Sequence, residues 1–327
     1  MLKHIKVTPL ATESLGTRSM CTYVETPDTR ILLDAGVSLC PNRFGLPPHP
    51  QEFRAITENR RRIAEAACKA EIITLSHYHF DHHTPSYEDW VSQWTERTET
   101  ARQIYEGKTV LMKNPRDFIN YSQRRRGWMF QRTSGKHAKK LEIADGETFF
   151  FANTSVKFSE PVYHGPEDSI LGWVLMTTIE YEGEKFMFAP DVQGPISTLT
   201  LEKIVGQKPR LLMLGGPPLY LAGFKVDEKE IEAGLGNLQE IVEHVPTTIL
   251  DHHILRDENW KEKSMQVFYR AYESDHTVLT AAEFLGKKNS FLEASRKRLF
   301  AEDPPSKEFE KWTKEDVEAR KHKKPPV

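Results

Sequence analysis

Four histidines and one aspartate lie within seven consecutive residues of this chain, a density of metal-binding side chains that core packing does not require. They follow an apolar, partly β-branched run at 72–75, which predicts a short buried strand that ends at the cluster. Imidazole and carboxylate groups suit zinc, iron and manganese, and a zinc site without thiolate ligands is more often catalytic than structural. The alternative is a surface tract of histidines without a role. The five residues are His77, His79, Asp81, His82 and His83.

The spacing within this cluster predicts two metal positions. His77 and His79 point the same way if the strand geometry persists, because side chains two residues apart in a strand share a face. Asp81 and His82, on the turn that follows, can then face a second ion. Two divalent ions that share a water molecule lower its pKa and make hydroxide available near neutral pH. We expect Asp81 to orient that water or to carry its proton.

The motif His-x-His-x-Asp-His at 77–82 resembles the signature of the metallo-β-lactamase superfamily of hydrolases. The resemblance implies a mixed α/β fold, an αββα four-layer sandwich of two mixed sheets with the metals at one edge between them. It also implies further ligands at the ends of later strands, and the chain has candidates in that order. The sequences at 161–165 and 281–286 look most like an archaeal branch near the sugar-phosphate lactonase-like members.

The same resemblance assigns the ligands to two divalent ions, with zinc expected first and iron or manganese as alternatives. The implied ligands are His77, His79 and His164 for one ion, Asp81, His82 and His252 for the other, and Asp191 as the bridge between them. His253 is the alternative to His252, and the sequence leaves this choice open. In the superfamily an aspartate at the position of Asp34 often supports the metal site from behind, but Asp34 is also an ordinary turn former.

Hydrophobic periodicity places these candidates on a succession of strands and helices. Each of the later candidates follows directly on a predicted strand. The predicted strands are 4–9, 20–26, 31–36, 72–75, 108–114, 147–151, 155–160, 170–181, 184–190, 210–216, 247–250 and about 277–281. The predicted helices are 51–70, about 87–107, 227–245, about 259–273 and about 288–301.

A single domain is expected at 1–302, followed by a charged tail at 303–327 that we expect to be loosely held. Within the domain, a helical and basic insertion is expected near 85–140. Its Arg124, Arg125 and Arg126 would reach the anionic group of a substrate. Basic residues interleaved with aromatic residues also suit nucleic acid, although a solvated, partly mobile insertion is the commoner explanation of such a run.

The whole-chain composition is that of a soluble globular protein, with 38% hydrophobic and 28% charged residues. A net charge of −2 gives no general attraction to nucleic acid or to an anionic membrane. The three cysteines lack paired spacing, and no apolar run suits a signal peptide or a membrane span, so we expect a cytoplasmic protein without a membrane partner. The high charge content favours a thermophilic source.

Three functions are compatible with these residues. The first is hydrolysis of a small anionic or phosphorylated ester, lactone or phosphodiester by hydroxide activated at a dinuclear metal site. A serine nucleophile is disfavoured because no Gly-x-Ser-x-Gly sequence occurs. The second is a metal-dependent nuclease acting on RNA or DNA, and the third is a non-hydrolytic metal-binding or redox protein. A homo-oligomer is compatible with all three.

Overall fold

Two mixed β-sheets form the centre of the molecule in the computed structural model, which describes residues 2–167 and 169–327. The first sheet consists of β1 Lys6–Pro9, β2 Thr22–Glu25, β3 Arg30–Leu33, β4 Ile72–Leu75, β5 Thr109–Met112 and β6 Lys140–Ile143. These six strands lie side by side in chain order. The pairs β1–β2 and β2–β3 are antiparallel, whereas β3 to β6 run parallel. All four residues of β4 are buried, as expected for an interior parallel strand.

The second sheet is built from the later strands. These are β7 Thr148–Phe151, β8 Thr154–Phe158, β9 Val162–Tyr163, β10 Trp173–Val174, β11 Thr177–Tyr181, β12 Glu184–Ala189, β13 Leu211–Leu214, β14 Thr247–Leu250 and β15 Thr277–Leu279. The sheet has the order β15-β14-β13-β12-β11-β8-β7, and β9 pairs with β10 as a separate ribbon. Since β12 to β15 are parallel, their carboxyl ends lie at one edge of the sheet.

Helices cover the outer faces of both sheets. They are α1 Pro50–Lys69, α2 Arg97–Tyr105, α3 Tyr121–Arg132, α4 Thr198–Gln207, α5 Glu228–His244, α6 Trp260–Lys263, α7 Met265–Glu273, α8 Ala281–Phe284, α9 Arg296–Glu302, α10 Lys307–Thr313 and α11 Val317–Lys321. Short 3-10 helices lie at Ser134–His137, Leu219–Leu221 and His252–Arg256. None of the described helices combines the length and the apolar composition that crossing a bilayer requires.

Alternation along the strands divides the core into three layers. In β4, Ile72 belongs to the cluster between the two sheets, whereas Ile73 belongs to the cluster under α1 and α2. In β13, Met213 likewise faces the space between the sheets, and Leu212 packs with the residues of α4 and α5. Successive side chains point to opposite faces of a strand, so each sheet has one helix-covered face and one face against the other sheet. The predicted αββα sandwich is therefore confirmed.

A buried arginine of α1 connects this helix to the loops around the histidine cluster. Arg60 donates to the carbonyl oxygens of Val37 and Gln93 and to Thr84 Oγ1, over distances of 2.6 to 3.1 Å. Burial lowers the pKa of Arg60 to about 10, which leaves the guanidinium charged near neutral pH. The segment that follows the histidine cluster is therefore held to α1 by several hydrogen bonds from the Arg60 guanidinium.

The structure corrects two helices that were predicted from segments with weak hydrophobic periodicity. The helix predicted at about 87–107 occupies only 97–105, and the helix predicted at 288–301 begins at 296. The basic insertion is built into the fold, since it forms α3 and leads into β6, the edge strand of the first sheet.

The segment 303–327 also differs from the expected loose tail. It forms α10 and α11, and Phe309 and Trp312 are almost completely buried against Phe53 of α1. Few apolar residues lie in this segment, but two large aromatic ones are enough to attach it to the core.

Candidate metal centre

The predicted ligands come together at the edge where the carboxyl ends of strands from both sheets meet. His77 follows β4, His164 follows β9, Asp191 follows β12 and His252 follows β14. These residues are buried. Parallel strands deliver the residues beyond their carboxyl ends to a common edge, which is why side chains far apart in sequence become neighbours.

Three histidines surround one oxygen of Asp191. Its Oδ2 lies 3.2 Å from His77 Nε2, 3.0 Å from His164 Nε2 and 3.8 Å from His79 Nδ1. His77 Nε2 and His79 Nδ1 are themselves 3.0 Å apart. The four ligand atoms all lie within 4.8 Å of one another, as the donors around a single metal ion do.

The other oxygen of Asp191 faces a second group of donors. Its Oδ1 lies 3.2 Å from His82 Nε2 and 3.1 Å from His252 Nε2. Asp81 completes this group, since its Oδ2 lies 3.7 Å from His252 Nε2 and the three residues form a compact potential ligand set. The two oxygens of one carboxylate thus point into two different sets of donors.

The hydrogen bonding of these atoms tests whether the residues suit metal ions. In the described part of the chain, His82 Nε2 and Asp191 Oδ1 are both buried and have no hydrogen-bond partner. Buried polar atoms without a partner are costly, and an ion is one of the recognised ways in which they are satisfied. Imidazole nitrogen and carboxylate oxygen are the donors that divalent transition metals accept. The cluster therefore suits divalent metal ions.

Outer residues orient the ligand histidines. Asp34 Oδ2 lies 2.7 Å from His82 Nδ1, and Ser76 Oγ lies 2.9 Å from His77 Nδ1. A histidine that binds metal through one ring nitrogen usually bonds through the other to a carboxylate or a similar group, which fixes the ring orientation. Of the two interpretations of Asp34, this contact favours the supporting role.

The backbone around the site is strained. Asp34, Asp191 and His252 have φ angles of 47°, 54° and 67°, in the left-handed region that non-glycine residues seldom occupy. Such conformations persist where the surrounding structure holds them, and they concentrate at functional sites. Gly36 approaches the ligand loop so closely that a Cβ built on it would lie 2.2 Å from the backbone nitrogen of His83.

Burial and neighbouring charges set the protonation of the cluster. Burial lowers the pKa of His77 well below its usual value, which keeps a ring nitrogen available as a ligand. Burial also acts against a charged His82, but the carboxylates of Asp191 and Asp34 raise the pKa of this histidine. The surrounding histidines in turn outweigh burial at Asp191 and lower the pKa of its carboxyl group.

Comparison with known proteins identifies the family. No family model matches the chain. A UPF0282 protein of Methanopyrus kandleri is 41% identical over 305 residues, which cover 91% of this chain and 100% of that protein. The chain belongs to the UPF0282 family. Another member, from Methanocaldococcus jannaschii, is 44% identical over 296 residues, covering 90% of this chain and 96% of that protein. These family members are archaeal and several come from thermophiles, as the sequence indicated.

Several solved structures resemble this UPF0282 protein distantly. Tm1679, a metal-dependent hydrolase of the β-lactamase superfamily, is 12% identical with a TM-score of 0.48, covering 85% of this chain and 97% of that one. Zinc-bound PqqB of Methylobacterium extorquens is also 12% identical, with a TM-score of 0.46 and coverage of 85% and 98%. The αββα layers and the strand ends that carry the histidines and aspartates agree with what the resemblance to the metallo-β-lactamase superfamily implied.

The choice between the two adjacent histidines of this UPF0282 protein can be argued from distance. His253 Nε2 lies 4.0 Å from Asp191 Oδ2, whereas His252 Nε2 lies 3.1 Å from Oδ1. His252 also belongs to the compact set with Asp81 and His82, so the geometry favours His252 as the ligand. Outside both sets, His83 donates or accepts through Nδ1 at the carbonyl oxygen of His79, 2.9 Å away, and its pKa is lowered to about 3 by burial.

The three arginines proposed for substrate binding lie in different environments. Arg124 and Arg125 are exposed on α3, and Arg124 donates to the carbonyl oxygen of Arg116. Arg126 is partly buried, with its guanidinium carbon 5.0 Å from the centre of the Phe80 ring. Burial lowers the pKa of Arg126 while the nearby carboxylate of Asp81 acts in the opposite direction. Only Arg126 therefore borders the metal cluster.

Two residues that contact the cluster escape sequence reasoning. Glu13 Oε2 lies 2.7 Å from His252 Nδ1, and Glu13 Oε1 accepts from Arg256 Nε at 2.6 Å. Arg256 Nη2 lies 3.3 and 3.2 Å from the two ring nitrogens of His252 and 3.6 Å from Asp81 Oδ2. Glu13 lies 239 residues before His252 and no motif marks it. The spacing of four between His252 and Arg256, one helical turn, is the only signal available for the arginine.

Proposed function

We propose that this protein is a metal-dependent hydrolase that acts on a small anionic or phosphorylated ester, lactone or phosphodiester. The observation that carries the proposal is the position of Asp191, whose two oxygens face two separate sets of buried donors. His77, His79 and His164 would hold one divalent ion with Asp191. Asp81, His82 and His252 would hold the second. When bound, two such ions supply Lewis acidity and lower the pKa of a water molecule.

Asp81 is the carboxylate best placed to handle a proton. Its side chain is 16% exposed, whereas that of Asp191 is 2% exposed, so Asp81 is the more accessible of the two to water. Burial alone would raise the pKa of Asp81, but the charges of His82 and His252 lower it below its usual range. An ionised Asp81 can accept a hydrogen bond from an attacking water and hold that water in line with the substrate.

Two cations near Asp81 support an anionic substrate. Arg256 is held by Glu13, and its Nη2 remains close to Asp81 at the edge of the second ligand set. Arg126 lies over Phe80, between two residues of the ligand motif. Guanidinium groups bind carboxylate and phosphate oxygens through paired hydrogen bonds, and they do so best where water is partly excluded.

The proposal is tested by comparing hydrolysis in metal-free and metal-restored protein. The substrates are bis(p-nitrophenyl) phosphate, p-nitrophenyl acetate and an aliphatic lactone, with zinc, iron or manganese added in turn. We expect turnover that requires metal and falls by more than about 100-fold in His79→Ala. The matched control is His244→Ala, because His244 is exposed and bonds only to a carbonyl oxygen of its own helix. Equal turnover in wild type and His79→Ala, or none with any of the metals, would contradict the proposal.

A further inference from the structure

The segment 115–140 has a charge that sets it apart from the rest of the chain. It contains eight lysine and arginine residues and a single acidic residue, Asp117, so its net charge is +7 while the whole chain carries −2. The remainder of the chain is therefore at −9. Like charges that are clustered on a protein surface repel one another, and the folded structure does not require such a cluster.

Helix α3 exposes three of these eight cations on one side. Tyr121, Arg124, Arg125, Trp128 and Arg132 are all exposed. At 100° per residue their positions fall within an arc of about 100° around the helix axis. Gln123, Gly127 and Phe130 are buried on the opposite side. We call the five exposed residues the α3 face.

Within the part of the chain that the structure describes, most cations of this segment have no acidic partner. In the described ranges 2–167 and 169–327, Lys140 is the one of the eight that has a carboxylate within 4.0 Å, that of Glu142 at 2.8 Å. Arginines on other helices do find acidic partners: Arg102 pairs with Glu99 at 2.5 Å, and Arg61 pairs with Glu58 at 2.7 Å. The α3 face thus offers several guanidinium groups to a molecule outside the chain.

Large aromatic rings lie among these cations and face solvent. Tyr121 is 83% exposed, Trp128 is 55% exposed and Phe118, just before the helix, is 62% exposed. The guanidinium of Arg132 stacks over Trp128 at 4.7 Å from the ring centre. Cations that follow a phosphate backbone, with rings on which bases stack, are the features by which proteins hold single-stranded nucleic acid. A duplex offers phosphates but conceals the faces of its bases, so the aromatic rings favour a single strand.

The buried side of α3 attaches this surface to the metal centre. Gln123 Oε1 accepts from the backbone nitrogen of Tyr78, which lies between two predicted ligands, at 3.1 Å. Gln123 Nε2 donates to the carbonyl oxygen of Leu171, in the loop after His164, at 3.0 Å. Arg126 continues the charge from the helix towards Asp81. The α3 face itself lies on the opposite side of the helix, so a strand bound there would reach the cluster by passing Arg126, which lies at the side of the helix between the two.

We propose that the α3 face binds single-stranded nucleic acid and brings its phosphodiester groups to the metal centre. Binding stands on the surface alone, whereas cleavage of the bound strand rests on the proposed hydrolase function. In that cleavage the oxygen of one water bonds to phosphorus as one P–O ester bond breaks. One water proton goes to the leaving oxygen and the other is released or stays on the phosphate, so no oxidant or reductant is needed.

Binding is tested on the full chain in a chelator, which separates it from cleavage. Anisotropy of a labelled 20-nucleotide single strand, as RNA and as DNA, is measured over a series of salt concentrations. We expect the slope of log K against log salt to become shallower by about 1.4 in Arg124→Ala/Arg125→Ala, because each phosphate contact on a single strand contributes about 0.7. Trp128→Ala should weaken binding by about tenfold at constant salt, through loss of base stacking.

The matched control is Arg61→Ala/Arg102→Ala, which also removes two arginine charges but from exposed positions on other helices. It should bind as wild type does. Three results would overturn the proposal: no binding at low salt, an unchanged slope in Arg124→Ala/Arg125→Ala, or equal affinity for a duplex of the same length. Circular dichroism checks that each variant is folded. If the strand binds but metal-restored protein cleaves only the small reporter substrates, the nucleic acid is not the substrate and the hydrolase function stands.

Discussion

The substitution Gly36→Ala tests how tightly the ligand loop is fixed. A Cβ at this position would lie 2.2 Å from the backbone nitrogen of His83, and 2.4 and 2.6 Å from backbone atoms of His82. Ordinary contact begins at 3.4 Å, so the two backbones must separate by about 1.2 Å, the difference between 3.4 and 2.2. The neighbouring atoms are backbone, and they cannot move away by a change of rotamer.

The loop is also restrained from other directions, which sets the expected magnitude. Asp34 holds the ring of His82, and Arg60 holds Thr84 just beyond it. Overpacking in a well-packed region costs about 1–3 kcal/mol, and we expect the upper end, about 3 kcal/mol, because backbone has to shift. A displacement of about 1 Å also misplaces His82, so metal affinity of the second ligand set should fall by tenfold or more.

Urea denaturation of metal-free Gly36→Ala measures the first effect, and competition with a chromophoric chelator measures the second. The control is Gly236→Ala, the same substitution within α5, where a Cβ would meet nothing within 4 Å. Alanine is the better helix former there, so this variant should gain about 0.5–1 kcal/mol. A Gly36→Ala protein as stable as wild type, with unchanged metal affinity, would refute the reasoning.

Three further predictions concern other parts of the structure. Asp34→Asn removes the negative charge behind the second ligand set and should weaken metal binding by about 10–100-fold in the chelator competition, with little change in fold. The ion pair with Arg18 outweighs the burial of Glu293 and lowers the pKa of this carboxyl group from 4.5 to about 2. The pair therefore stabilises the protein above pH 4.5 and is lost as the pH falls towards 2. Between pH 4.5 and pH 2 the free energy of unfolding of the wild type should fall by about 3 kcal/mol more than that of Glu293→Gln. Trp312→Ala should cost about 3–5 kcal/mol by denaturation, because the ring is buried, whereas exposed Trp128→Ala should cost less than about 0.5 kcal/mol.

Each of these three has a clear contrary result. Unchanged chelator competition in Asp34→Asn would mean that the supporting carboxylate does not act on metal binding. If the free energies of unfolding of wild type and Glu293→Gln change in parallel between pH 4.5 and 2, the ion pair with Arg18 does not contribute to acid stability. Equal stability of Trp312→Ala and wild type would show that the segment 303–327 is not part of the core.

The sequence was most informative where chemistry and strand order coincide. His77, His79, Asp81 and His82 are adjacent, so their spacing alone indicated two directions for metal ligands. The later ligands were expected because the resemblance implies ligands at later strand ends, and each candidate follows an apolar run that predicts a strand. The αββα architecture came with the resemblance that those residues support.

Other features depend on contacts that sequence pattern does not encode. Glu13 reaches His252 across the gap between the two sheets, and no local periodicity marks such a pairing. The segment 303–327 looks unstructured by composition, yet Phe309 and Trp312 fasten it to α1. Charge runs are usually solvated, so the basic stretch gave no reason to expect that α3 would pack its other side on the ligand motif.

The most direct test of the central claim is metal stoichiometry by elemental analysis after reconstitution and removal of loosely bound ions. If Asp191 joins two ligand sets, wild type should retain about two equivalents per chain, and His79→Ala and His82→Ala about one each. Asp191→Ala should retain close to none, since both sets lose a donor. A wild type that holds a single equivalent with zinc, iron and manganese alike, or an Asp191→Ala protein that keeps two, would contradict a shared dinuclear centre.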